Sequence, residues 1–534
     1  MSKGIGIVQT QYGKLRGVEA SDGKYEGITY FKGVPYAKAP VGALRWKPPV
    51  EHEGWEGVRD AVAYAPAETQ KRISGLAFEP YSSDFYYMGN PPCSEDCLYL
   101  NITTGAASAD EKRPVYMWFH GGGLADGYSY EIAFDPSELA RKGIVVVSVG
   151  QRLNILGYLA LPQLSAEQGG KSGNYGFMDE IKALDWVYKN IAAFGGDPEN
   201  ITIGGQSGGT MKTGALAASP YNKGRVKRVI NQSSLCWRRG FATLAQAEQA
   251  CMEYLKFMGI NPCASMEELR AIPALDLLKE PDVQGPPIPS MMVYDGDYVP
   301  YPDMMRSVDQ YAGSCDYLCG SNFGESSMTR GFVIGAKGPS KLSDVQAAAR
   351  ANLGDLYEKY DFDAVSGLTE ENADHRSRWL ASLGMNGMGG VAEFTSFGAL
   401  RAKTHPQSRT FSYVFSHVTP TRPEDKDTPR DASRLLAWHS SELWYTFASL
   451  REGVPPARPW TELDFKLADQ MSSYWANFMK TGDPNGEGLP VWPESRENLG
   501  WMELGDQPVG HEGIDGKLGS LIYENFKKKM EDKK

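Results

Sequence analysis

The sequence predicts an α/β protein, a central mostly parallel sheet flanked by helices, and three observations carry that prediction. Short continuous apolar runs at Pro114 to Phe119, Ile144 to Val149, Ile201 to Ile203, Val226 to Ile230 and Ser412 to Phe415 have the length of strands buried on both faces. Helix-length amphipathic segments lie between several of them. The clearest runs from about Asp179 to Phe194, where Ile181, Leu184, Val187, Ile191 and Phe194 recur at spacings of three and four. Gly195-Gly196-Asp197-Pro198 then stops the helix and the next apolar run follows, which is the rhythm that parallel pairing requires.

Composition narrows the class. The 534 residues, 41% hydrophobic and 23% charged, are ordinary globular material. A net charge of -11 with scattered lysine and arginine speaks against a nucleic-acid surface. No run of about 18 apolar residues offers a membrane span, and Met1 to Val8 contains no long apolar export region. The expected location is therefore the cytoplasm, although a trimmed secreted form reads alike. Seven cysteines are too few for a disulfide scaffold, and neither Cys93/Cys97 nor Cys315/Cys319 has His or Cys partners at zinc spacing, so no metal is expected. Buried thiols are the preferred reading; Cys251 and Cys263 are the pair that oxidising conditions would join.

No repeat, low-complexity block or hinge-like linker divides the chain, so residues 1–534 are expected to form one elaborated domain. Two segments break the βα rhythm. One, about 73–92, carries Phe78, Tyr81, Phe85, Tyr86, Tyr87 and Met88 and is expected to form a rim loop. The other, about 335–390, is mostly helix-forming and is expected to cap the sheet's carboxyl edge, where α/β proteins bind ligands.

The chemistry-bearing pattern is Gly205-Gln206-Ser207-Gly208-Gly209, which follows an apolar strand and opens a helix. Such a sharp turn forces backbone against backbone and exposes a strained serine, a setting for a nucleophile. A serine hydroxyl needs a base, an acid to orient the base, and donors for the developing oxyanion. His120-Gly121-Gly122-Gly123 after the strand ending at Phe119 supplies candidate donors, so Gly122, Gly123 and Gly208 are the expected oxyanion hole. In this mechanism the acid and then the histidine follow the serine, leaving His375, His405, His417, His439 and His511 as bases. Pattern places His439 ahead of His405 and His417. Glu325 competes with Asp295 and Asp297 for the acid, and spacing alone does not choose.

Longer blocks resemble the type-B carboxylesterases, the family of cholinesterases and bacterial para-nitrobenzyl esterases. They are Phe31-Lys32-Gly33-Val34-Pro35-Tyr36-Ala37, Leu44-Arg45-Trp46-Lys47-Pro48-Pro49, Ser94-Glu95-Asp96-Cys97-Leu98-Tyr99-Leu100-Asn101, and the stretch from Gly173-Asn174-Tyr175-Gly176 to Ser207. The resemblance spans nearly the whole chain. It implies the α/β-hydrolase fold and a Ser207, Glu325, His439 triad, with Ser233 of Gln232-Ser233-Ser234 supporting the site through hydrogen bonds. The implied activity is carboxylic-ester hydrolysis through an acyl-enzyme, without cofactor, on a small-to-medium or aryl-containing ester. Amide or lactone hydrolysis with the same triad is the alternative, and a non-catalytic binding protein of the same fold is the more distant one. Tyr86, Leu124 and Trp438 are the expected substrate contacts, and a monomer or weak homo-oligomer is the expected state.

The chain also departs from the family pattern. Gln206 and Gly208 stand where Glu and Ala are usual, which predicts a neutral, less crowded elbow and a His439 less readily protonated than beside an anion. Gln151-Arg152-Leu153-Asn154 replaces the usual Asn-Tyr-Arg-x-Gly, and Leu124 replaces an aromatic after the triple glycine.

Overall fold

The computed structural model describes residues 4–21, 23–71, 91–236, 240–280, 283–325, 340–385, 389–428, 430–453 and 458–531. The chain forms two compact units, the first made of 1–75, 85–230 and 236–315 and the second of 76–84, 231–235 and 316–534.

In the first unit the longer strands of the main sheet are β1 (Thr29–Pro35), β2 (Tyr99–Thr104), β3 (Arg113–Phe119), β4 (Val145–Val149), β5 (Gly196–Gln206) and β6 (Val226–Gln232), the last two residues of β6 counting with the second unit. They lie in the order β6-β5-β3-β4-β2-β1. β3 pairs in parallel with β4 and with β5, whereas β2 runs antiparallel to both β4 and β1. All five residues of β4, the last five of β3 and the last six of β5 are buried, which is why these segments read as unbroken apolar runs. The register sets Gly205 beside Phe119, so two neighbouring parallel strands deliver the serine turn and the triple glycine from the same edge.

The expected helix after Gly173 is α1 (Tyr175–Asn190), prolonged by a 3-10 turn over Ile191–Phe194 and ended by Gly195 at φ 77°. Its start is fixed by Asn174, whose side chain donates to the Val293 carbonyl at 2.8 Å and accepts from the Val293 amide at 2.8 Å. Asp179 on α1 holds Arg152 through two side-chain bonds of 2.7 and 2.8 Å, so the unusual Gln151-Arg152 segment is anchored to the helix by a buried ion pair. α2 (Gly208–Ala217) follows the serine, and α3 (Leu244–Phe257) begins at a capping box of Thr243 and Gln246.

The second unit carries β7 (Asp316–Asn322), β8 (Thr410–Phe415), β9 (Gly500–Leu504) and β10 (Pro508–Glu512). β8 pairs in parallel with β7 and β9, and β10 closes the edge antiparallel to β9. The five apolar runs expected as strands are all strands, with ends moved by at most five residues. Residues 340–385 are mostly helical, as expected for this segment, and include α4 (Leu342–Leu353) and α5 (Ala373–Ser382). His375 and Trp379 of α5 set their rings edge-on to Phe323, with centroids at 4.8 and 5.3 Å, just past the carboxyl end of β7. α6 (Gly390–Thr404), α7 (Glu462–Thr481) and α8 (Gly516–Glu531) complete the unit. The rim segment expected at 73–92, Tyr86 included, falls almost wholly outside the described residues.

All seven cysteines are free thiols, which corrects the suggested Cys251–Cys263 pair. Cys251 is buried on α3 with its sulfur accepting from the Ala160 amide at 3.3 Å, and Cys263 is exposed. No described helix is long and apolar enough to cross a membrane.

Candidate active site

Ser207 stands at φ 54°, ψ -118°, between β5 and α2. A non-glycine residue at positive φ costs about 1–3 kcal/mol and persists only where its surroundings fix it. Here the surroundings are glycine backbones. A Cβ on Gly205 would lie 2.5 Å from the Gly209 carbonyl, and one on Gly209 would lie 2.1 Å from the Phe119 oxygen. The Ser207 carbonyl is tied inward by the Thr210 amide at 2.9 Å and the Thr210 hydroxyl at 2.7 Å. Its side chain is left half-buried at the start of α2, where helix N–H groups lack intrahelical partners.

The triple glycine turns next to this elbow. Gly122 and Gly123 take φ of 82° and 76°, and the Gly122 carbonyl accepts from the amides of Leu124, Ala125 and Asp126. Among the described residues the Gly122 and Gly123 amides donate to no protein acceptor, and the Gly208 amide is that of the helix's first residue. The loop is braced at several points. Gln70 donates to the Gly127 carbonyl and accepts from the Gly127 amide, both at 2.9 Å. Asn154 gives its amide to the Leu124 carbonyl at 2.7 Å and its side chain to the carbonyls of Ala125 and Thr69. The departure at 151–154 is thus part of the loop's support.

Gly208 is not a slack position, which corrects the reading of a less crowded elbow. A Cβ there would lie 2.4 Å from the Gly123 nitrogen, because the space a methyl would fill is taken by the glycine loop's backbone. Gln206 is fully buried. Leu124 has no exposed surface, so its side chain packs within the protein.

In the second unit, β7 runs into Asn322-Phe323-Gly324-Glu325. The Gly324 amide donates to the Ala437 carbonyl at 2.7 Å, and Gly324 bridges Trp438, which brings the next residue, His439, alongside Glu325. His439 Nδ1 and Glu325 Oε2 are 2.5 Å apart, and the other Glu325 oxygen accepts from the Asn322 amide at 2.8 Å. Burial opposes ionisation of Glu325, but the His439 charge and hydrogen bond outweigh it and hold the carboxyl below its usual range. The Ser233 hydroxyl also favours that anion, although it meets no strict hydrogen-bond geometry among the described residues. Burial disfavours the His439 imidazolium, yet Glu325, with a further contribution from Glu442, raises its pKa above the ordinary histidine value.

Sequence reasoning missed Glu442. It is fully buried, accepts from Asn322 Nδ2 at 2.5 Å and from Gln232 Nε2 at 3.3 Å, and Gln232 in turn accepts from the Trp475 indole at 3.1 Å. Burial first and the Glu325 charge second push its pKa up to about 7. The imidazole therefore has a second carboxylate neighbour whatever stands at position 206. The only signal for it was its place three residues after His439. Trp438 is buried, its indole donating to the Thr419 hydroxyl at 3.3 Å and its carbonyl accepting from Asn322.

The competing acids and His417 are engaged elsewhere. Asp295 accepts from Asn174 and from the amides of Asp297 and Val299, and Asp297 pairs with Lys171 at 2.6 Å. His417 sits between Asp464 at 2.9 Å and Asp506 at 2.7 Å. His405 ends α6 with its amide on the Arg401 carbonyl. Among the described residues no group of three or more His, Cys, Asp or Glu is arranged to hold a metal ion.

A model of the carboxylesterase family matches residues 5–520. Liver carboxylesterase 1 of Mus musculus is 30% identical over 535 residues, covering 93% of this chain and 89% of the relative. The fumonisin B1 esterase of Sphingopyxis macrogoltabida is 30% identical over 537 residues, covering 95% and 88%. Among solved structures, a PNB esterase superposes with a TM-score of 0.75 at 28% identity, covering 97% of this chain and 99% of its own. A Geobacillus stearothermophilus carboxylesterase does so at 0.74 and 28%, covering 96% and 99%. The chain belongs to the carboxylesterase family and is a carboxylic-ester hydrolase of the α/β-hydrolase fold.

Proposed function

We propose that the protein hydrolyses small-to-medium or aryl-containing carboxylic esters through an acyl-enzyme on Ser207. His439 takes the Ser207 proton as the hydroxyl attacks the ester carbonyl, and Glu325 holds the imidazole with Nδ1–H toward itself and stabilises the imidazolium. The amides of Gly122, Gly123 and Gly208 receive the tetrahedral oxyanion. His439 then protonates the leaving alcohol, and water repeats the sequence to release the acid. All 534 residues serve as one catalytic domain, with 73–92 as a rim and 335–390 as a cap, and Tyr86, Leu124 and Trp438 shape the substrate pocket. Ser233 and Gln206 support the triad.

The observation that carries this reading is the strained φ of Ser207 together with two glycine amides that donate to no protein acceptor among the described residues. Free thiols at all seven cysteines support a cytoplasmic enzyme, and a monomer or weak homo-oligomer is the proposed state. The test is a fluorophosphonate probe with peptide mapping, followed by kinetics on graded acyl and aryl esters with matched amides and lactones. Label on Ser207 with esters preferred supports the proposal; label elsewhere, or amides or lactones turned over faster, overturns it.

A further inference from the structure

α2 carries one charged residue, Lys212, five positions after Ser207, and that lysine is completely buried. A buried ammonium costs several kcal/mol unless its donors are satisfied, so its partners identify its task. Lys212 Nζ donates to the His120 carbonyl at 3.0 Å, at the first peptide of the triple-glycine loop. It also meets Gln151. With that carboxamide turned so that its nitrogen donates to the Val149 carbonyl at 2.9 Å, its oxygen accepts from Lys212 Nζ at 2.6 Å and from His120 Nε2 at 3.0 Å. The Gln151 backbone is itself fixed, its amide donating to Glu68 at 2.9 Å. Lys212 thus joins the helix behind the serine to the root of the loop that carries Gly122 and Gly123.

We infer that Lys212 is a positioning residue for ester hydrolysis, its ammonium orienting the His120–Gly121 peptide so that the glycine amides face the oxyanion. This rests on the proposed oxyanion role of that loop. Four acidic groups act on the ammonium: Glu180 from α1, Glu68 from the strand segment Ala67–Glu68, and Asp126 and Glu131 from the chain after the triple glycine. Glu180 is fully buried, its two oxygens have no hydrogen-bond partner among the described residues, and burial pushes its pKa well up. Burial pulls Lys212 down, against the attraction of Glu180, to about 8. Deprotonation of Lys212 removes the charge that holds the peptide, so turnover falls as pH rises into the alkaline range.

The experiment compares wild type, Lys212→Met, the charge-balanced Lys212→Met/Glu180→Gln and Gln151→Leu on one activated aryl ester across neutral and alkaline pH. Fluorophosphonate labelling and circular dichroism run alongside. Both methionine variants are expected to lose about 10- to 100-fold in kcat with KM changed less than about threefold, and to lose the alkaline limb. Gln151→Leu removes an acceptor from the ammonium, so its alkaline limb moves to lower pH, a shift that a purely structural defect does not produce. If the methionine variants do not fold, the Gln151→Leu limb decides. Folded methionine variants with wild-type kcat, a wild-type enzyme without an alkaline limb, or an unmoved limb in Gln151→Leu overturn the inference. Absence of label on wild-type Ser207 sinks the catalytic proposal instead, so the two failures are told apart.

Discussion

Gly208→Ala adds one methyl directly after the serine, and the structure predicts that it disables this enzyme. Gly208 is a helical position outside the left-handed region, where alanine is favoured over glycine by about 1 kcal/mol, so the fold has no intrinsic objection. The new methyl, however, would lie 2.4 Å from the Gly123 nitrogen, where ordinary contact begins at 3.4 Å. The backbone of Gly123 must retreat by about 1 Å, a displacement that costs catalysis about a hundredfold when it falls on a group serving the transition state. That factor corresponds to about 2.7 kcal/mol, the loss seen when a single oxyanion donor is removed. The assay is kcat and KM on an activated aryl ester beside a thermal melt. Expected is a drop of about two decades in kcat with KM nearly unchanged, and a melting temperature lowered by a few degrees at most, because alanine's helix preference offsets part of the cost of moving backbone. A variant within about threefold of wild-type kcat would show that the Gly123 amide is not a fixed oxyanion donor, and the reasoning fails.

Three further outcomes follow from the same geometry. Because Glu325 and Glu442 raise His439, activity should rise with pH through a midpoint above the ordinary histidine value, and Glu442→Gln should move that acidic limb to lower pH; an unmoved limb contradicts the assigned electrostatics. Glu325→Gln should cost about 10³- to 10⁴-fold in kcat by destabilising the imidazolium, with folding preserved, as steady-state kinetics and circular dichroism will show. His417, raised because Asp464 and Asp506 outweigh its burial, stabilises the fold fully below its unfolded pKa and loses that contribution as pH rises through its folded one. Denaturant melts of His417→Gln should therefore show a larger deficit at mildly acidic than at alkaline pH, and a constant deficit refutes the linkage.

The parallel core was legible because the buried stretches of β3, β4 and β5 face protein on both sides and are mostly apolar. The antiparallel strands β1 and β2 were not, since their half-buried residues break the apolar run. The strained turn at Ser207 was legible because only glycines tolerate the contacts around it. Spacing could not separate Glu325 from Asp295 and Asp297 as the partner of His439, because the Gly324 to Ala437 bond that brings Glu325 and His439 together is a contact across more than a hundred residues. The same limit hid Lys212. A lysine in a helix normally reads as solvent-facing, and its burial follows from the parallel pairing that brings the end of β3 beside β5. Gly208 was misread because a missing methyl looks like free space until the neighbouring loop is placed.

The most direct measurement is rapid-quench mass spectrometry during turnover of an activated ester. The account predicts a burst of alcohol and an acyl mass increment confined to the peptide bearing Ser207, absent in Ser207→Ala, which also loses most of its kcat. Turnover with no acylated peptide, or Ser207→Ala hydrolysing the ester at the parent rate, would contradict it.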